Sequence, residues 1–142
     1  MIRVYVAGSS RNWQRARRVI DAIQRLGIDV TLDWPAQIEI DRAHGKSDED
    51  LSPAEAAEIR AACLDGVRRA TLVLWLAEGS EGASHETGYA IGRRIPVIVA
   101  GANPHPIFGM PSGDDEGVTA WLRTDAKAVE YVATFARHRR CA

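Results

Sequence analysis

The chain is 142 residues long, 46% apolar and 26% charged, with a formal net charge of −1. That length suits one domain, residues 1–142, and the apolar share supplies an ordinary core, so disorder by composition is excluded. Near-neutral charge excludes the broad basic footprint of a nucleic-acid binder, and the run Arg137-His138-Arg139-Arg140 reads as a solvated tail.

In chain order, Ile2 follows the first residue with no basic leader, and no apolar run reaches spanning length, so a cytoplasmic location away from membranes is expected. Val4 to Ala7 is short, apolar and rich in β-formers, and Gly8-Ser9-Ser10 closes it as a buried first strand. Ala16, Val19, Ile20, Ile23 and Leu26 then recur at helical spacing, with Gly27 as the stop. Asp29 to Trp34 reads as the second strand. Pro35 to Leu51 is polar and aperiodic, the longest expected loop, and loops of that length often carry function. Ser52-Pro53-Ala54-Glu55 is a helix start with an N-cap, a proline at the first helical position and a capping-box glutamate; the helix is expected to end near Arg69.

Thr71 to Leu76 is continuously apolar, as a central parallel strand buried on both faces must be. Ala77 to His85 reads as a glycine-bearing loop, with a helix beginning near His85. Pro96 to Ala100 is a fourth strand, Gly101 to Gly117 a loop rich in glycine and proline, and Val118 to Leu122 an edge strand. Thr124-Asp125 caps a last helix with Val129, Val132, Ala133 and Ala136 on one face. Two cysteines, Cys63 and Cys141, make no disulfide framework, and no Cys/His spacing matches zinc, so no metal or other cofactor is expected.

Alternating strands and helices predict a doubly wound, mainly parallel five-stranded sheet of order 2-1-3-4-5 with helices on both faces, a Rossmann- or flavodoxin-like architecture. In that order the first and third strands diverge at a switch point, and ligands bind outside their carboxyl ends. Two corners therefore meet across one crevice. At Gly8-Ser9-Ser10-Arg11, hydroxyls, backbone donors and a planar cation suit a phosphate, although the same residues also suit a simple helix cap. At the other corner, Ser80, Gly82 and Ser84 bring further donors while Glu86 presents a carboxylate. A carboxylate near a helix N-terminus is favoured in its ionised form, which suits a nucleophile; the plainer alternative is a glutamate that only stabilises its helix dipole. Gly88 and Ala90 are expected to let this helix pack closely and tilt its start into the crevice. Trp34 is placed to stack on a base or to pack, whereas Trp13, Trp75 and Trp121 read as packing residues and His85 as a surface residue.

Tyr5-Val6-Ala7-Gly8-Ser9-Ser10-Arg11, with Ser80, Gly82 and Glu86-Thr87-Gly88-Tyr89-Ala90, resembles the nucleoside 2-deoxyribosyltransferase superfamily, most closely the 2'-deoxynucleoside 5'-monophosphate N-hydrolases. The resemblance implies cleavage of the bond between a nucleobase and C1' of a small nucleotide or nucleoside, by hydrolysis or by transfer to a second base. It makes Glu86 the nucleophile and Tyr5 its orienting partner, places Gly8, Ser9, Arg11, Ser80 and Gly82 at the 5'-phosphate, and implies a homodimer. The family's aspartate on the second helix, which assists the leaving base, falls at Cys63. Asp65 points about the opposite way, and Cys63 shares an apolar stripe with Ile59 and Val67, which reads as a core thiol. Asp33, Asp41, Glu78 and Glu81 are alternative acids, and a base that leaves readily needs none. That keeps a nicotinamide-nucleotide glycohydrolase open, beside a non-catalytic nucleotide-binding or regulatory module.

Overall fold

The structure is a computed structural model in which residues 1–77, 81–105, 109–111 and 117–138 are described. Five parallel strands form one sheet of order β2-β1-β3-β4-β5: β1 Arg3–Ala7, β2 Asp29–Val30, β3 Leu72–Leu76, β4 Val97–Ala100 and β5 Ala120–Leu122. The helices are α1 Trp13–Arg25, α2 Trp34–Ala43, α3 Pro53–Arg69, α4 Glu81–Gly92 and α5 Asp125–His138.

Alternation along β1 divides the core. Val4 and Val6 face the side filled by Ile20 and Ile23 of α1 and by Val132 of α5, whereas Tyr5 and Ala7 face the side filled by Val67 of α3 and by Ala83 and Ala90 of α4. Every residue of β3 and β4 is buried, as a strand covered by helices on both faces requires. α3 begins as its sequence dictates: Ser52 Oγ accepts from the Glu55 amide at 3.2 Å while Glu55 Oε2 accepts from the Ser52 amide at 2.8 Å. Gly27, at φ 70°, ends α1.

Four local expectations need correction. Only Asp29 and Val30 pair as the second strand, and Trp34 opens α2 instead of closing that strand. Residues 34–43 are helical rather than loop, with Pro35 near the helix start, where its missing amide costs nothing. The fourth helix starts at Glu81, so Glu86 lies in its second turn and not at a corner. Gly88 is exposed, and a methyl group there would touch nothing, so its smallness does not draw the helix onto the sheet; Ala90, fully buried, makes that contact.

Candidate active site

β1 and β3 lie side by side, Ala7 opposite Trp75, and a crevice of about 690 Å³ opens beyond the carboxyl end of β1. Gly8 and Ser10 line it from the β1 side, and Gly82 and Glu86 from α4. α3 contributes Ile59, Ala62 and Cys63, and α2 presents Trp34, Ile38 and Asp41. The segment from Lys46 to Leu51 completes the mouth.

Glu86, Tyr5 and Cys63 converge from three elements. Burial pushes the Glu86 carboxyl from its ordinary 4.5 to about 7; the neighbouring Tyr5 and Cys63 work against that rise without cancelling it. A helix-start carboxylate was expected to favour ionisation, but the second-turn position and desolvation reverse the sign. Burial, and then the neighbouring Glu86 charge, raise the Tyr5 phenol far above its usual range, so it stays neutral and able to donate. Among the described residues the Tyr5 hydroxyl closes no hydrogen bond, yet Glu86 and Cys63 stand near enough to act on it. Burial and the Glu86 charge lift the Cys63 thiol to about 11. Cys63 is thus not a plain core thiol: it packs against the core on one side and lines the crevice on the other, while Ile59, one turn earlier, is 42% exposed.

Gly66 makes a close contact beneath the crevice that the sequence did not reveal. A methyl group there would stand 2.9 Å from Cδ2 and Cε2 of Tyr5 and 3.1 Å from Cβ of Leu32, so α3 rests directly on the tyrosine ring. Trp34 is fixed by donation from Nε1 to the Val6 carbonyl at 2.7 Å, which leaves its indole as a rigid part of the crevice wall. Trp75 and Trp121 pack against the core below, and His85 is exposed, as expected.

Gly8, Trp34, Cys63, Gly82 and Glu86 therefore line one crevice, with Tyr5 beneath it. Ser9 acts as a cap, its Oγ accepting from the Arg11 amide at 3.2 Å. Arg11 is exposed and does not line the crevice. Ser80 and Glu78 lie outside the described residues. Asp33 and Asp41 both line the crevice: Asp33 pairs through Oδ2 with Arg17 at 2.8 Å while its buried Oδ1 has no hydrogen-bond partner among the described residues, and Asp41 accepts from Gln37 at 3.0 Å. Glu81 is exposed at the start of α4. No group of three metal-ligating side chains occurs among the described residues, and no helix there is long and apolar enough to cross a membrane.

The family model described as nucleoside 2-deoxyribosyltransferase matches residues 4–122, from the first strand to the last. The chain belongs to this family. It is accordingly an enzyme of N-glycosidic bonds. Among solved structures it is similar to a CMP N-glycosidase of Clostridium botulinum, at 14% identity and TM-score 0.58, over 94% of this chain and 98% of the other. A conserved protein of Enterococcus faecalis V583 gives 15% identity and TM-score 0.58, over 92% and 96%. A 2-deoxyribosyltransferase of Bacillus psychrosaccharolyticus gives 13% and 0.60, over 91% of each chain. At such identities the likeness concerns the fold. Comparison with curated protein sequences gave no match.

Proposed function

We propose that this enzyme cleaves the N-glycosidic bond of a nucleoside 5'-monophosphate, with Glu86 as the nucleophile at C1'. The observation that carries the reading is the buried Glu86 carboxyl on the wall of a crevice large enough for a nucleotide, with a neutral tyrosine and a thiol as its neighbours. In the ionised form, a Glu86 oxygen bonds to C1' as the C1'–N bond breaks and the base departs with the electron pair. Water then attacks C1', freeing the carboxylate and the sugar phosphate. Positive charge builds on the sugar in both steps, so a close carboxylate stabilises both transition states. Tyr5 donates to the carboxylate oxygen that does not attack and thereby orients it.

The resemblance to 5'-monophosphate N-hydrolases and the CMP N-glycosidase likeness favour hydrolysis of a monophosphate over base exchange. The leaving group requires its own account. The groups acting on Glu86 are a phenol and a thiol, both held protonated well above neutrality, and neither is a strong acid. A base that leaves without strong acid help, such as a nicotinamide or an alkylated purine, therefore fits Cys63 better than a base that needs an aspartic acid.

Incubation with a panel of deoxynucleotides, ribonucleotides and nicotinamide nucleotides, followed by chromatography for free base, tests this. Wild-type protein is expected to release base from at least one monophosphate, and Glu86→Gln to bind that nucleotide without releasing it. Undiminished release by the variant would end the proposal.

A further inference from the structure

Asp33 carries a charge that neither its helix nor its neighbours use up. It stands at the start of α2, yet its side chain makes no cap to that helix. Oδ2 pairs with Nη1 of Arg17 at 2.8 Å, but the same guanidinium also meets Asp21, whose Oδ1 lies 3.4 Å from Nε, so one cation serves two carboxylates. Oδ1 is buried and has no hydrogen-bond partner among the described residues. Asp33 lines the crevice, and the next residue, Trp34, lines it with an indole held by its bond to the Val6 carbonyl. Further along α2, Asp41 accepts from the neutral amide of Gln37, and Arg42 is taken up by Asp48 at 3.0 Å. Among the described residues the lining thus sets four carboxyls, Glu86 included, against Arg42 and Lys46.

A fixed aromatic ring beside a half-neutralised carboxylate suits a flat cation. The ring quadrupole attracts positive charge, and a carboxylate in a poorly hydrated wall adds a field that water does not fully screen. We propose that the crevice selects nucleotides whose base is positively charged at neutral pH on the ring joined to C1', and that Asp33 sets this preference. This rests on the cleavage reading above and names the class of base within it. When such a base leaves, the electron pair of the C1'–N bond neutralises its ring, so it departs uncharged and takes no proton, while a Glu86 oxygen bonds to C1'. Water then displaces the carboxylate from C1' and gives one proton to solvent. The phenol of Tyr5 and the thiol of Cys63 give up nothing in either step. While the substrate is bound, its positive ring also favours the ionised form of the nearby Glu86, the form that attacks.

The test is calorimetric binding at pH 7 of two pairs matched in shape and different in charge: nicotinamide mononucleotide against its reduced, neutral form, and 3-methylcytidine 5'-monophosphate against cytidine 5'-monophosphate. Binding is read in the Glu86→Gln background, so that neither turnover nor the Glu86 charge contributes. In at least one pair the cationic member is expected to bind about tenfold tighter. Adding Asp33→Asn should remove most of that preference and leave the neutral member's affinity unchanged, a split that a merely structural loss does not produce. Adding Arg17→Gln, which strips Asp33 of its counter-charge, should widen the preference about threefold, and a misfolded protein cannot gain selectivity. The proposal is overturned if the neutral member binds as well as the cationic one in both pairs, if Asp33→Asn weakens both members alike, or if Arg17→Gln leaves the preference unchanged or narrower. Where Asp33→Asn does not fold, Arg17→Gln decides. Free base is assayed with wild type on the same compounds. Charge preference without release contradicts the proposed reaction and leaves the selection standing; release without charge preference does the reverse.

Discussion

Replacing Glu86 by Gln should stabilise the protein, and the gain should depend on pH. Burial raises the carboxyl from 4.5 to about 7. Below the unfolded value the group is protonated in both states, and ionisation takes nothing from stability. Between about 4.5 and about 7 the folded protein keeps a proton that the unfolded chain has lost, so stability falls by about 1.4 kcal/mol per pH unit. Above that window the ionised carboxylate costs the fold about 3 kcal/mol, an upper value because the crevice admits water. Gln has nearly the same shape and never ionises. For 142 residues, an unfolding entropy of about 2.1 cal/mol/K per residue converts 3 kcal/mol into a Tm difference of about 10 °C. The assay is thermal unfolding of both proteins from pH 4.5 to pH 8. The difference should grow from near zero at the acid end to about 10 °C at pH 8. A difference that stays flat across the range, or a variant less stable than wild type at pH 8, would refute the claim that a desolvated, ionisable carboxyl sits at this position.

The same carboxyl predicts that kcat/KM for the preferred substrate rises with pH through about 7, because the nucleophile must be ionised; a pH–rate profile falling through that region would mark Glu86 as an acid instead. Gly66→Ala should cost about 1–3 kcal/mol by overpacking against Tyr5 and Leu32, despite better helix propensity. It should also lower kcat more than it raises KM, which denaturant titration and steady-state kinetics together would check. Cys63→Asp places a second carboxyl beside Glu86 and should move the rise of kcat/KM to higher pH, since like charges oppose ionisation. An unmoved profile would mean that position 63 does not face Glu86.

Much of the fold was legible because β3 and β4 are fully buried and continuously apolar, and because the Ser52–Glu55 cap and the Gly27 stop obey local chemistry. What misled was the lining of the crevice. α2 read as loop because Ile38 and Ile40 turn away from the core and onto the crevice wall, where Ile40 is 51% exposed, so the apolar residues of that helix mark no core-facing stripe. Cys63 read as core because its stripe includes Ile59, which the structure leaves half in water at the crevice edge. Gly82 read as part of a loop, which hid a helix already formed at Glu81 and with it the burial that controls Glu86. The hydrogen bond from Ser10 to Asp48 joins residues 38 apart and has no local pattern at all.

Attack by Glu86 on C1' makes a stereochemical claim that no binding role can imitate. Two successive displacements, by carboxylate and then by solvent, retain configuration at C1', whereas direct attack by solvent inverts it. Turnover of a β-nucleotide in aqueous methanol, with the methyl glycoside product assigned by NMR, therefore tests the central claim most directly. The β-methyl glycoside is the predicted product, and the α-methyl glycoside would contradict a covalent Glu86 intermediate.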